Sequence, residues 1–266
     1  MTEPRRTPAG GARRERRPKQ ARVVRVERLT PHLTRVVLGG EGLAEFSAGE
    51  FTDHYIKMLF PVDGEERPRM RTYTVRRWDA DSRELSVDIV LHGDVGLAGP
   101  WAMRAAPGDE VQFMGPGGEY APSADADWHL LAGDESALPA IAASLERLPA
   151  GARAHVFVEV DGPQDEQKLE TPGEASVTWL HRGSERVGVP LVRAVADLDF
   201  PPGDVQAFVH GEAGFVKELR RLLLVDRGVP RARVSISGYW RLGHDEDRWQ
   251  ATKRDWNRQV EEEQGA

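Results

Sequence analysis

The residues with the clearest chemistry fall in one short run, Arg71-Thr72-Tyr73-Thr74-Val75-Arg76-Arg77. Thr, Tyr and Val favour a pleated strand, yet a plain strand gains nothing from three arginines around one tyrosine. Alternation puts Arg71, Tyr73 and Val75 on one face and Thr72, Thr74 and Arg76 on the other, so a flat ligand cannot reach all of them from one side. A long ligand crossing the strand's end can. Arginine would pair with phosphate, tyrosine would stack on a ring, and threonine would hydrogen-bond a heteroatom.

Three further stretches could meet an anion. In "LLAGDESALPAIAASL" a strand ends at Ala132, the chain turns at Gly133, and a helix is expected from near Glu135 to Leu148. Free N–H groups at such a helix start face the crevice above the strand ends. The turn lacks GxGxxG spacing and also suits a simple connection. "HGEAG", His210 to Gly214, repeats the strand-to-helix turn, with Gly211 and Gly214 either bordering a ligand or only turning the chain. The run Asp88 to Gly93 ends a strand whose alternation sends Leu85, Val87, Ile89 and Leu91 inward and Asp88, Val90 and His92 outward. A lone histidine at a strand end, such as His92, is more often a surface or structural residue than a ligand-binding one. Gly93, Gly96 and Gly99 follow, ahead of a helical turn at Pro100 to Met103, and let backbone N–H groups approach phosphate oxygens.

Two domains must position these residues. Strands are expected at 21–29, 34–38, 54–60, 72–77, 85–91 and 110–114, separated by turn residues such as Gly39-Gly40 and Pro107-Gly108, which suggests a small six-stranded antiparallel barrel over 21–120. From 125 to 244 strands at 128–132, 154–160, 176–180, 205–210 and 233–237 alternate with helices, among them one at 214–226, and imply a parallel sheet with crossovers. A last helix is expected over 245–263. Trp249, Trp256 and Val260 form its docking stripe, and Lys253 lies on that stripe.

Composition removes several classes of function. The chain has 266 residues and no cysteine, which excludes disulfides, thiolate catalysis, cysteine-ligated zinc and iron–sulfur clusters, so redox work needs an organic cofactor. Residues 1–22 hold eight Lys/Arg against Glu3 and Glu15, and the first twenty read as a disordered basic tail. Taking that +6 from a net charge of −7 leaves −13, which argues against a nucleic-acid surface on the fold. No run suits a secretory signal or a membrane span, so a cytoplasmic location is expected.

The opening run resembles the Arg-x-Tyr-Ser/Thr flavin signature of the ferredoxin reductase superfamily. Its surroundings are similar to the siderophore-interacting branch, the FAD-dependent ferric-siderophore reductases. The matching pieces appear in family order across about 20–260: "HYIKMLFP" from His54, "MRTYTVR" from Met70, "DIVLHGDVG" from Asp88, "GPWA" from Gly99, "LAGDESALPAI" from Leu131, "HGEA" from His210 and "SGYWRLG" from Ser237.

The resemblance implies a barrel holding FAD and an α/β domain accepting NAD(P)H. By position it assigns Arg71, Tyr73 and Thr74 to the flavin, with Asp88, Ile89, Val90 and His92 along its other side. The 96–102 turn, with Gly96, Ala98, Gly99 and Trp101, is assigned to the pyrophosphate, and Trp240 borders the cofactor. Gly133, Asp134, Glu135, Ser136 and Ala137 are assigned to the nicotinamide dinucleotide. Leu97-Ala98-Gly99 stands where the family has Pro-Ala-Ser, so a serine hydroxyl expected near the pyrophosphate is missing.

For the substrate, an anionic ferric siderophore, the resemblance assigns Lys57, with Lys253 and Arg241 beside it. Lys253 either joins Lys57 or snorkels over Trp249 and Trp256. Iron is then substrate and not a structural metal, and no side chain is assigned a covalent or proton-transfer step. The expectation is a monomer passing electrons from NAD(P)H, or from a ferredoxin-like carrier, through FAD to chelated iron(III). A general flavin-dependent reductase and a non-catalytic siderophore-binding module are the rivals.

Overall fold

The computed structural model describes residues 17–92 and 96–265, so the first sixteen residues of the basic tail, and Gly93 of the glycine-rich turn, lie outside it. Six antiparallel strands close a barrel: β1 (Lys19–Thr30), β2 (Leu33–Gly39), β3 (Tyr55–Phe60), β4 (Arg69–Asp79), β5 (Glu84–Val90) and β6 (Glu110–Gly117), in the order β1-β2-β5-β4-β3-β6. Val36, Leu38, Ile56, Met58, Leu85, Val87, Ile89 and Phe113 fill it at 0% exposure. Helix α1 (Ala98–Arg104) closes one end, with Ala98 and Ala102 in the same core and Trp101 edge-on to Phe60.

Period-two alternation holds along β4 only to Val75. A bulge between Val75 and Arg77 in the pairing with β5 leaves Arg76 as the extra residue. Trp78 then packs on the barrel core, and Arg76 turns away to bond Glu146.

The second layer is a five-stranded parallel sheet in the order β11-β10-β7-β8-β9, made of β7 (Trp128–Gly133), β8 (Arg153–Val160), β9 (Glu174–His181), β10 (Val205–Glu212) and β11 (Val234–Trp240). Helices α2 (Leu138–Glu146), α3 (Val189–Ala196) and α4 (Ala213–Arg221) pack on it. α2 begins three residues later than expected, because the turn from Asp134 to Ala137 is spent on hydrogen bonds to Asp134. The sequence reading has no counterpart for α3, a short segment rich in β-branched residues that gains its stability from burying Leu191 and Val195.

Helix α5 (Glu246–Gln264) docks by the expected stripe: Trp249 is fully buried, Trp256 lies edge-on to it, and Val260 is 3% exposed. Its close approach needs Gly238 of β11, where a Cβ would come within 3.0 Å of the Trp249 ring.

Gly211, at the end of β10, has φ 138°, and a Cβ there would lie 2.5 Å from the Phe215 ring and 2.8 Å from the Asp134 carboxylate. Gly211→Ala is expected to cost about 2–4 kcal/mol through backbone strain and overpacking. Urea unfolding checks this, and an unchanged midpoint contradicts it.

Candidate functional site

The barrel and the sheet face each other across a cleft of about 820 Å³. On the barrel side, β3 and β4 pair Tyr55 with Thr74 and Lys57 with Thr72, which turns all four side chains to one face. Tyr73 also reaches the cleft at the barrel's margin, and β5 adds Asp88 and Val90, with His92 just beyond. The opposite wall comes from β11, the segment after it, and α5.

Ten of the residues expected from sequence therefore come together on this cleft: Lys57, Tyr73, Thr74, Asp88, Val90, His92, Ser136, Trp240, Arg241 and Lys253. The two-faced strand reads as expected, with Thr72 and Thr74 outward and Tyr73 and Val75 against the barrel core. Several of these ten are already engaged. Asp88 receives both arms of Arg35 at 2.7 and 2.8 Å, Ser136 and Trp240 donate to Asp134, and Lys253 donates to Ser237.

Several of the assigned residues do not line the cleft. Ile89 is barrel core, as its inward alternation required, and does not line the cleft. Ala98 and Trp101 serve the packing of α1 on the barrel, Gly99 lies inside that helix, and Gly96 is an exposed turn residue with φ 89°. Gly133 and Ala137 are buried against each other, leaving no room for a ligand between them.

Asp134 is wholly buried and binds protein instead of ligand. It accepts from the Ser136 N–H and hydroxyl, the Glu212 N–H at 2.9 Å and the Trp240 indole N–H at 2.8 Å. Glu135 holds both oxygens on Arg182, which also bonds the fully buried Glu159.

Arg71 also departs from expectation, because its side chain is 9% exposed and is clasped by α5. Nη1 and Nη2 each donate to Asp247 at 3.0 Å, Nη1 donates to the Met70 carbonyl, and Nε lies 3.5 Å from Glu246.

Lys57 and Lys253 form one cluster on the cleft. Lys253 donates to Ser237 Oγ at 3.1 Å, and burial, reinforced by the charge of Lys57, lowers its pKa. It thus enters the cleft instead of only covering tryptophans.

Sequence reading missed Tyr120, Tyr239 and Trp249 as cleft residues, and took His210 only as part of a turn. Burial, and secondarily Lys253, pushes the His210 imidazole down to about 3, so it is neutral, stacked on Phe208 and bonded to Ser235. The signal was the aromatic density of "SGYW" beside "HGEA".

The residues present fit FAD. Tyr73 and Thr74 open onto a cleft of suitable size, and its lining carries buried polar atoms with no protein partner: Tyr120 Oη, His210 Nδ1, His244 Nδ1 and Trp249 Nε1. Such atoms cost free energy unless a ligand or water meets them.

Burial, and secondarily Asp134, pushes Glu135 up from 4.5 to about 7 despite Arg182, because that one cation is shared with Glu159. Folding therefore takes up a proton between those values, and the stability it contributes falls as pH rises through them. Relative to the native chain, Glu135→Gln should gain about 1–3 kcal/mol in unfolding free energy between about pH 5 and pH 8. Urea titrations at the two pH values measure it, and a parallel pH dependence of both proteins contradicts it.

The siderophore-interacting FAD-binding domain matches residues 22–69 and 62–120, and the siderophore-interacting protein family matches residues 126–243. An uncharacterized protein of Mycobacterium tuberculosis is 46% identical, covering 88% of this chain and 93% of that one. The ferric vibriobactin reductase ViuB of Vibrio cholerae is 35% identical over 84% of this chain and 89% of its own. An NADPH-dependent ferric-chelate reductase of Escherichia coli is 31% identical over 86% and 94%. Among solved structures, the siderophore-interacting protein SipS from Aeromonas hydrophila superposes with a TM-score of 0.81 at 33% identity, over 90% of this chain and 98% of that one. The chain belongs to the siderophore-interacting protein family, and its barrel is that family's FAD-binding domain.

Proposed function

We propose that the protein is a cytoplasmic, monomeric reductase of ferric siderophores that takes its electrons from NAD(P)H. The observation that carries this reading is the convergence of Lys57 from the barrel and Lys253 from α5 on the cleft that Tyr73 and Thr74 line. On a chain of net charge −7, a local pair of ammonium groups is what an anionic ferric chelate needs. An arriving anion also favours the protonated form of Lys253, offsetting the burial that lowers its pKa.

Bound FAD supplies the redox chemistry, accepting two electrons as a hydride and passing them on singly. The chain's own part is positioning. Tyr73 and Thr74 would hold the flavin, while Trp240, fixed by Asp134, and His92 face each other with ring centroids 6.4 Å apart. Neutral His210 adds no charge to the site. Glu135, Arg182 and Glu159 offer an extra phosphate no uncompensated cation, which supports NADH as a donor beside the NADPH in the Escherichia coli relative's name. No described helix is long and apolar enough to cross a membrane.

Anaerobic titration tests the proposal. NADH or NADPH should bleach the flavin absorbance, and a ferric tris-catecholate should restore it while a ferrous chelator develops colour. Failure of both nicotinamides to bleach it removes NAD(P)H as donor.

The Lys57→Ala, Lys253→Ala double variant is expected to raise KM for the ferric chelate about tenfold or more, while reduction of a neutral quinone stays within about twofold. Equal loss with both acceptors in steady-state assays contradicts the assignment of these lysines to the substrate.

A further inference from the structure

We infer that Asp247 and Glu246, at the start of α5, set how tightly FAD is held by competing with its pyrophosphate for Arg71. The inference rests on the reading of Arg71 as the flavin's phosphate-binding arginine.

A guanidinium has five N–H donors, and those of Arg71 are nearly all committed. Asp247 takes two in a bidentate pair at 3.0 Å, the Met70 carbonyl takes a third at 2.8 Å, and Glu246 lies 3.5 Å from Nε. Glu246 also accepts the Thr72 N–H at 3.2 Å, which pins the helix start to the strand between Arg71 and Tyr73. Arg69 reaches the same Asp247 at 3.3 Å. Glu65 also holds Arg69 and Lys57 lies near Glu246, so three cations face three carboxylates, a balanced group that offers little attraction to a further anion.

A doubly charged pyrophosphate reaching Arg71 meets Asp247 and Glu246 at close range, and their repulsion must be relieved before bidentate arginine contacts form. Burial already raises the pKa of Glu246, so a second negative charge beside it is costly. The same helix carries Lys253, so whatever holds Arg71 also bears on the substrate cation.

The carboxylates are positioning residues by this account, and their removal moves affinity opposite to structural damage. The test uses FAD-loaded protein diluted into buffer, with release followed by recovery of free flavin fluorescence. Asp247→Asn and Glu246→Gln, which keep shape and one accepting oxygen but remove the charge and the second acceptor, should each slow release about three- to tenfold, and Arg71→Ala should hasten it. Glu65→Gln removes an exposed carboxylate that bonds Arg69 and not Arg71, and should leave release unchanged.

Release as fast as or faster than the native protein in both carboxylate variants, with Arg71→Ala still hastening it, overturns the inference and leaves the reductase reading standing. Equal slowing by Glu65→Gln overturns it in favour of a general charge effect. A native chain that takes up no FAD overturns both.

Discussion

A single buried carboxylate organises the cleft. Asp134 sits at 0% exposure at the end of β7, where an unpartnered charge would be prohibitive, and it gathers donors from its own turn, from β10 and from β11. Three parallel strand ends are thereby held together, and Trp240 is fixed by its indole N–H. Glu212 does the same work one strand over, capping α4 through the Gly214 and Phe215 N–H groups and accepting from Leu242 on the segment leading to α5. The wall opposite the barrel is thus set by hydrogen bonds to two buried acids, and the ligand-facing residues inherit its rigidity.

Charge is divided along the cleft in a way that follows from this frame. Lys57 lies close enough to Lys253 to lower its pKa, on top of burial. The acidic start of α5 lies beside this pair and covers Arg71, with Glu246 close enough to feel the charge of Lys57. Asp88 is neutralised by Arg35 and His210 is uncharged, so these parts of the lining add no strong net charge. One helix supplies both Lys253 and the acids on Arg71.

Much of this was legible in the sequence where residue type and strand alternation agreed. Tyr73, Thr74, Val90 and His92 stand on faces that period two and the motifs both assign, Lys57 came from the motif alone, and Lys253 stands on the inward stripe of α5. Residues of a strand–glycine–helix turn were misread for a physical reason. The same Gly133, Asp134 and Ala137 that mark a ligand turn also suit a turn that consumes its own donors, and only the contacts of Asp134 distinguish the two. Ile89 shows the reverse case, where alternation alone gave the core and motif position did not. The clasp on Arg71 joins residues 176 apart, beyond any local pattern, and the bulge at Arg76 breaks the period without a glycine to announce it.

The central claim is that the ferric chelate docks on the two-lysine end of the cleft, against the flavin. The most direct measurement is the difference spectrum of the flavin-loaded protein titrated with the gallium(III) form of a siderophore, which matches the ferric complex in charge and shape but takes no electron. The account predicts a saturable shift of the flavin bands that the Lys57→Ala, Lys253→Ala double variant loses. Gallium-siderophore binding that leaves the flavin bands unmoved, or that survives loss of both lysines, would contradict it.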